Sequence, residues 1–325
     1  MKMKRFFAMI FVFVAALALV ACKGEEKFDV DGEFTAFEVS EHRGGPMVTS
    51  VTVTIKNGKI SKFYIDALQG STVKDDAGVI TAVKWNEKTK KELKFDYGMK
   101  EVGPRYEFKD GAWKVVEGKT SEKEWFEQAE LLEAKWLKDG VDSLTLTKDA
   151  EGAERIDNVA GVTLKDGGYI KLAKQAVENA RAGKVVVFKT GLSKGGAAEI
   201  YFVEATFNKE GKATEVVIDT RQSKVDAEKG LIWNEKTKQE LKYEYKMHYN
   251  YYKDTLEEGD EGTIEGYKAW LKDNNELEWF EQVAKISTDV VATQKTAAPA
   301  DAIAGVTVVT DTYYELIAKA FAAVK

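Results

Sequence analysis

Residues 85–94 read Trp-Asn-Glu-Lys-Thr-Lys-Lys-Glu-Leu-Lys, and residues 233–242 read Trp-Asn-Glu-Lys-Thr-Lys-Gln-Glu-Leu-Lys. A second repeated segment lies downstream in each case, because Glu-Trp-Phe-Glu-Gln occupies residues 124–128 and again residues 278–282. A repeat period of roughly 150 residues is too long for a solenoid and is typical of a duplicated domain. The sequence therefore predicts two tandem homologous domains.

The boundary between the two copies is expected at Ala182-Gly183, where a helical pattern stops at glycine and a new strand pattern begins. The predicted organisation is a leader over residues 1–21, a first domain over residues 22–182 and a second over residues 183–325.

Each copy opens with strand patterns. In the first copy, Val51, Val53 and Ile55 alternate with threonines and precede Asn57-Gly58, a strong hairpin signal. In the second copy, apolar alternation up to Phe207 precedes a turn at residues 208–211. Residues 185–188 are expected to match the strand at residues 34–37.

Helical patterns follow the strands in each copy. The segment after Ser121 places Trp125, Ala129, Leu132 and Trp136 on one helix face. Ser121 with Glu124, and Asn275 with Glu278, predict capping boxes at the two helix starts. Strands followed by helices favour an α+β fold in which each domain packs a mainly antiparallel sheet against helices.

A short motif ends each copy just before its last predicted helix. Asp157-Asn158-Val159-Ala160-Gly161-Val162-Thr163 returns as Asp301-Ala302-Ile303-Ala304-Gly305-Val306-Thr307. In both copies an Asp lies six residues before a Thr, and the Ala-Gly-Val-Thr core is identical. The motif is expected to lead into a helix near residues 166–168 and 310–312, where a helix N-terminus favours phosphate. The alternative interpretation is a tight structural turn in which glycine and small residues fit, and duplication would copy that turn too.

The motif resembles the Asp-x-x-Ser/Thr-Gly-Ala-Thr/Ser signature of the FMN-binding domain family, with Ala in place of Ser/Thr and Val in place of Ala. That family includes flavin subunits of membrane redox complexes and lipoproteins of extracellular electron transfer. The resemblance implies that Thr163 and Thr307 each carry FMN through a phosphoester. It also implies that a FAD:protein FMN transferase, with its own metal, installs the flavin, so that the flavin domains themselves hold no metal.

The other motif residues have expected supporting roles. Gly161 and Gly305 would let the backbone adopt positive φ or approach the phosphate closely. Asp157 and Asp301 would orient the loop by accepting amide hydrogen bonds, or would help the transferase polarise the threonine hydroxyl. Aromatic and methionine side chains could pack on the flavin ring, although a role in the core is favoured for them: Tyr97, Met99, Trp125, Tyr245, Met247 and Trp279.

The N-terminus reads as a targeting segment. Lys2, Lys4 and Arg5 precede an apolar run that ends at Cys22, the only cysteine in the chain. This pattern resembles a bacterial lipobox, in which Cys22 becomes the lipidated first residue; a plain signal peptide with a free cysteine is the alternative. The apolar run is shorter than a membrane-spanning helix needs.

Composition excludes several classes of function. One cysteine cannot support a disulfide framework, and two histidines outside any cluster give poor support to metal or triad catalysis. The formal charge is −6, and loss of the three basic leader residues with no acid brings it to −9. Interspersed charges of both signs do not make a nucleic-acid footprint. No pair among the 54 acidic residues stands out as hydrolase machinery.

The sequence leaves two functional hypotheses. The first is a lipid-anchored flavoprotein that relays electrons from a quinol- or flavin-linked membrane donor to an extracellular acceptor, as a carrier or reductase component. It would lie on the outer face of the cytoplasmic membrane, or in the periplasm or outer membrane. The second is a non-redox duplicated lipoprotein, a binding or adhesion module that has lost the flavin.

Overall fold

The computed structural model describes residues 27–299 and 302–325. It contains two four-stranded antiparallel sheets, both packed with helices, so the predicted α+β class with mainly antiparallel sheets is confirmed. The first sheet has the strand order 1-2-3-4 and is formed by β1 (Gly32–His42), β2 (Gly45–Lys56), β3 (Lys59–Lys74) and β4 (Ile80–Trp85). Cys22 and Asp301 lie outside the described residues.

The first sheet is followed by short helices, two small hairpins and two longer helices. In chain order these elements are α1 (Lys90–Leu93), α2 (Met99–Val102), β5 (Pro104–Lys109), β6 (Ala112–Thr120), α3 (Trp125–Asp139), β7 (Leu146–Lys148), β8 (Glu154–Ile156) and α4 (Tyr169–Arg181). Strands β5 and β6 form one antiparallel hairpin, and β7 and β8 form the other.

The second sheet repeats the first in antiparallel order. The second half of the chain contains β9 (Lys184–Leu192), β10 (Ala198–Phe207), β11 (Ala213–Asp226), β12 (Gly230–Trp233), α5 (Lys238–Leu241), α6 (Tyr249–Lys253), α7 (Ile264–Asp273), α8 (Trp279–Thr293) and α9 (Asp311–Ala322). Helix α6 follows the repeated segment much as α2 does in the first half, and α7 comes where the first half carries the hairpin β5–β6. Among the described residues between α8 and α9 there is no strand to match β7–β8.

Local sequence accounts for the strands. Val51, Val53 and Ile55 are buried on one face of β2, as their alternation predicts. Asn57 and Gly58 have φ of 54° and 71°, the positive values that a type I′ hairpin turn requires. The predicted hairpin between β2 and β3 is therefore confirmed. The predicted turn between β10 and β11 is confirmed as well, because Gly211 N donates to Asn208 O at 2.9 Å.

The long helices bury the predicted faces but begin differently. Four residues of α3 lie in the core as expected: Trp125, Ala129, Leu132 and Trp136. The capping prediction was wrong, because Glu124 and Glu278 are themselves the N-cap residues, and each pairs with the glutamate three positions later. The Ser121 hydroxyl instead donates to Lys123 O at 2.8 Å.

The two sheets are joined by reciprocal hydrogen bonds. The indole of Trp85 in β4 donates to Gly191 O in β9 at 3.0 Å, and the indole of Trp233 in β12 donates to Ser40 O in β1 at 2.8 Å. The same exchange recurs in the backbone, where Val83 N donates to Gly196 O and Leu231 N donates to Gly44 O. This pattern makes the chain a fused pseudo-two-fold dimer, with the same surface of each half facing the other.

The core is continuous across the two halves. One cluster of buried side chains contains Phe34 and Ile65 from the first sheet together with Val203 and Ile218 from the second. The rings of Phe37 and Phe188, which occupy equivalent positions in β1 and β9, have centroids 4.8 Å apart. Beyond α9 the chain returns to the first sheet, because Gly32 and Val324 form an antiparallel bridge. Among the described residues no helix is both long and apolar enough to cross a bilayer.

Candidate functional site

The structure anchors the motif threonine of the first half through a buried glutamine. Thr163 N donates to Gln128 Oε1 at 2.7 Å, and the Thr163 hydroxyl lies 3.4 Å from the same oxygen. Gln128 lies one turn into α3 and is fully buried. Its amide group donates to Lys123 O at 3.2 Å and to Ser121 Oγ at 3.4 Å. One side chain therefore fixes the motif loop to the start of α3.

The second half builds the same anchor. Gln282, also fully buried and one turn into α8, accepts from Thr307 N at 2.7 Å and from Val308 N at 3.1 Å. The Thr307 hydroxyl lies 3.2 Å from Gln282 Oε1, and Gln282 Nε2 donates to Leu277 O at 2.8 Å. Because both ends of the glutamine amide are used, a carboxylate could not replace it without facing a carbonyl oxygen.

Sequence reasoning missed these glutamines as site residues, although it had a signal for them. The repeated Glu-Trp-Phe-Glu-Gln segment ends on Gln128 and Gln282, and both are buried polar residues in helices that are otherwise amphipathic. A buried amide needs partners, so an interior glutamine repeated in both copies indicates a fixed hydrogen-bonding role. Which loop supplied the partners could not be read from the sequence.

Asp157 orients the first motif loop by accepting hydrogen bonds from hydroxyl groups and not from backbone amides. Its carboxylate accepts hydrogen bonds from the side chains of Thr145 and Thr147, which flank the start of β7. The predicted amide donors were wrong for Asp157, because the threonine hydroxyls of the preceding strand occupy its carboxylate oxygens. Asp157 N in turn donates to Thr145 O at 3.1 Å.

A buried ion pair supports the same loop from the other side. Arg155 Nε donates to Asp149 Oδ2 at 2.7 Å, and Arg155 Nη1 donates to Thr163 O at 2.6 Å. The guanidinium carbon lies 3.5 Å from the centroid of the Tyr106 ring, in cation–π geometry. Together with Gln128, this pair holds both the amide and the carbonyl of Thr163.

Both motif glycines have the backbone conformation that was expected. Gly161 and Gly305 have φ of 80° and 77°, which side-chain-bearing residues rarely adopt. A methyl group placed on Gly161 would lie 2.7 Å from Lys123 Cε, and one placed on Gly305 would lie 3.0 Å from Leu277 Cδ1. The positive φ therefore favours glycine at both positions, and the nearest neighbours of the missing methyl group are side-chain atoms.

The motif threonines do not directly begin a helix. Helix α4 starts at Tyr169, six residues after Thr163, and its amide at Ile170 donates to Asp166 Oδ1 at 3.1 Å. Helix α9 starts at Asp311, four residues after Thr307, as predicted. In the first half, therefore, Asp166 already occupies part of the helix N-terminus that was expected to face phosphate.

The first motif loop forms one wall of a cleft of about 550 Å³. The hairpin β5–β6 also lines this cleft and contributes Tyr106, Phe108 and Trp113. Trp113 is 7% exposed, and its indole N–H has no hydrogen-bond partner among the residues that the structure describes. The cleft is within the size range of small-molecule sites, and aromatic side chains are among the residues that line it. Thr163 lies on its wall and is partly exposed, and Thr307 in the second half is exposed.

A buried lysine lies beside the aromatic residues at the start of each long helix. Lys90 Nζ is 5.2 Å from the Tyr97 ring centroid and 5.3 Å from that of Trp125, and Lys238 has the same relation to the rings of Tyr245 and Trp279. Both lysine side chains are 9% exposed. Burial lowers the pKa of Lys90 to about 8.

The aromatic residues considered for flavin stacking belong mainly to the core. Trp125 and Trp279 are buried, and the Trp125 indole donates to the Tyr169 hydroxyl at 3.2 Å. Tyr97 and Met99 are partly buried and pack against the same core. In the first half, the aromatic side chains that line a cleft beside the motif come instead from β5 and β6, which the sequence did not nominate.

Comparisons of the chain with protein-family models, with curated proteins and with solved structures found no match. The functional inference therefore depends on the geometry of the two motif loops and the cleft.

Proposed function

We propose that the chain is a lipid-anchored flavoprotein that carries covalent FMN on Thr163 and Thr307. It would relay electrons from a quinol- or flavin-linked membrane donor to an extracellular acceptor. In this proposal the two halves are homologous flavin domains of the FMN-binding domain family, each with a motif loop that leads into the last helix. Cys22 would carry the lipid on the outer face of the cytoplasmic membrane, or on the periplasmic side or outer membrane.

One observation carries the proposal: a partly exposed threonine, hydrogen-bonded to a buried glutamine, lines a cleft large enough for a cofactor. Thr163 supplies the hydroxyl. Gln128 fixes the position of this residue, because Thr163 N donates to Gln128 Oε1 at 2.7 Å. Thr307 and Gln282 form the same hydrogen bond in the second half.

The residues of the first half fit an FMN group. Tyr106, Phe108 and Trp113 offer apolar ring surface. Gly161 gives the loop its positive φ two residues before the threonine. Bound FMN would supply reversible acceptance and release of electrons, while the protein supplies retention and electrostatic tuning.

The attachment step balances with FAD as the donor. The oxygen of the threonine hydroxyl forms a bond to the flavin-side phosphorus, the pyrophosphate bond breaks, AMP leaves and the hydroxyl proton is released. The partner would be a FAD:protein FMN transferase. Thr307 is exposed and Thr163 is partly exposed, so in this proposal such an enzyme reaches both residues.

Co-expression of the full chain with a FAD:protein FMN transferase tests the proposal. The expected product is yellow, and its mass is increased by one FMN less one water at each occupied threonine. Thr163→Val and Thr307→Val should each remove one flavin, Thr→Ser at the same positions should keep it, and Thr214→Val, at an exposed strand position, should change nothing. A colourless product at the mass of the unmodified chain would refute the proposal and favour the non-redox lipoprotein.

A further inference from the structure

The charged groups around the two motif glycines have exchanged positions between the halves. Aligning the repeated Glu-Trp-Phe-Glu-Gln segments places Lys123 opposite Leu277 and Leu131 opposite Lys285. A methyl group placed on Gly161 would lie 2.7 Å from Lys123 Cε and 3.7 Å from Leu131 Cδ1.

The same test on Gly305 finds the reverse arrangement. A methyl group there would lie 3.0 Å from Leu277 Cδ1 and 3.2 Å from Lys285 Nζ. Each motif glycine is therefore flanked by one lysine and one leucine, but the two helix positions that supply them are interchanged. Packing alone requires no charge at either position, whereas an anion at the motif would require one cation and would accept it from either side.

The lysines are available to an anion. Lys123 is partly exposed, lines the cleft and makes no side-chain hydrogen bond or ion pair with any residue in 27–299 or 302–325. Lys285 is exposed, and its ammonium donates to Ala304 O in the motif at 2.8 Å, which leaves it two further N–H donors.

The other charged groups of the cleft are largely occupied. Arg105 forms ion pairs with Glu107 and Glu122. The Asp157 carboxylate is taken up by threonine hydroxyls. Lys109 is exposed at the end of β5 and is not among the nearest neighbours of a methyl group placed on Gly161.

We propose that Lys123 and Lys285 are the phosphate-binding side chains of the two motif loops, and that the leucine–lysine exchange preserves one cation beside each Thr. This inference rests on the proposed function, because the anion is the phosphate of the FMN ester or of the incoming FAD. Thr163 lies two residues from Gly161, within about 7 Å along the chain, so a lysine packed on Gly161 can reach a phosphate on that threonine. An ammonium–phosphate contact is a charge-assisted hydrogen bond.

The test uses the full chain with Thr307→Val, so that only the first site can be loaded, and FAD with the transferase as the probe. The initial rate of mass gain is measured for the parent, for Lys123→Leu and for the double change Lys123→Leu with Leu131→Lys. The double change installs the arrangement of the second half. Lys109→Leu, which removes the same charge from the same cleft, is the matched control. Far-UV circular dichroism and urea midpoints check that each variant folds.

Lys123→Leu should slow attachment by about fivefold or more, and the ratio to the parent should approach one in high salt, because screening weakens the contact. The double change should restore the rate to within about twofold, as expected for a cation that acts by charge from either position. Lys109→Leu should leave the rate near that of the parent.

A second readout is independent of the transferase. The urea midpoint of flavin-loaded protein minus that of unloaded protein should be larger in the parent than in Lys123→Leu, because the lysine stabilises the folded state only when phosphate is present. Attachment at the parental rate in Lys123→Leu, failure of the double change to restore it, or an equal loss in Lys109→Leu would overturn the inference while leaving flavinylation intact. Absence of any mass gain in the parent would overturn the proposed function and this inference with it.

Discussion

Replacing Gln282 with methionine isolates the energetic contribution of the buried anchor under the second motif loop. Methionine keeps the length and unbranched shape of the side chain, so packing around the start of α8 changes little. The change removes four hydrogen bonds: from Thr307 N at 2.7 Å, from the Thr307 hydroxyl at 3.2 Å, from Val308 N at 3.1 Å and to Leu277 O at 2.8 Å.

The expected loss of stability follows from these four hydrogen bonds. A neutral hydrogen bond contributes about 0.5–1.5 kcal/mol net, and a buried group that loses its partner costs more. Thr307 is exposed, and Val308 is partly exposed, so water can reach their amides after the change. We therefore expect Gln282→Met to lower the free energy of unfolding by about 2–3 kcal/mol. Gln128→Met should cost about 1–2 kcal/mol, because its contacts to Ser121 and Lys123 are longer.

Urea unfolding followed by circular dichroism measures both losses, with an unchanged m-value showing that the transition itself is the same. The control is Gln175→Met, at an exposed position on α4 with one side-chain partner. That change should stay within about 0.5 kcal/mol of the parent. A loss for Gln282→Met no larger than that of Gln175→Met would refute the role given to the buried glutamine.

Three further outcomes are expected. Because the halves share one core and exchange bonds such as Trp233 to Ser40, calorimetry should show a single transition with equal calorimetric and van't Hoff enthalpies; two separate transitions would contradict this. The folded-state pKa of Lys90, about 8, lies below its ordinary value, so the unfolded chain binds more protons above that pH and stability from this group rises with pH. Between pH 8 and 9.5 the stability of the parent should rise relative to Lys90→Met by roughly 1–2 kcal/mol in urea titrations, and a constant difference would be the contrary result. If both threonines carry flavin, iodide should quench the flavin fluorescence less in Thr307→Val, which keeps the site in the cleft, than in Thr163→Val, whose remaining site is exposed. Equal quenching in the two variants would contradict this difference in exposure between the sites.

The local elements of this protein were determined by its sequence. Alternating Val51 and Val53 fix a strand with one buried face, because side chains in a strand point alternately to its two sides. Asn57-Gly58 fixes the hairpin turn, because few other residue pairs accept two consecutive positive φ values. The helix face that contains Trp125 and Trp136 follows from the 3.6-residue period. The duplication of the chain and the position of the motif before each last helix could be read in the same way.

Tertiary structure alone decided how these elements meet. Gln128 reaches Thr163 across 35 residues, and Gln282 reaches Thr307 across 25, so no local pattern names either partner. Periodicity assigns Gln128 to a face of its helix but does not say which loop packs there. The same holds for the exchange of indole hydrogen bonds between the two sheets. A hydrogen bond depends on two groups arriving within about 3 Å of each other, and for residues far apart in the chain only the packing of the whole core sets that distance.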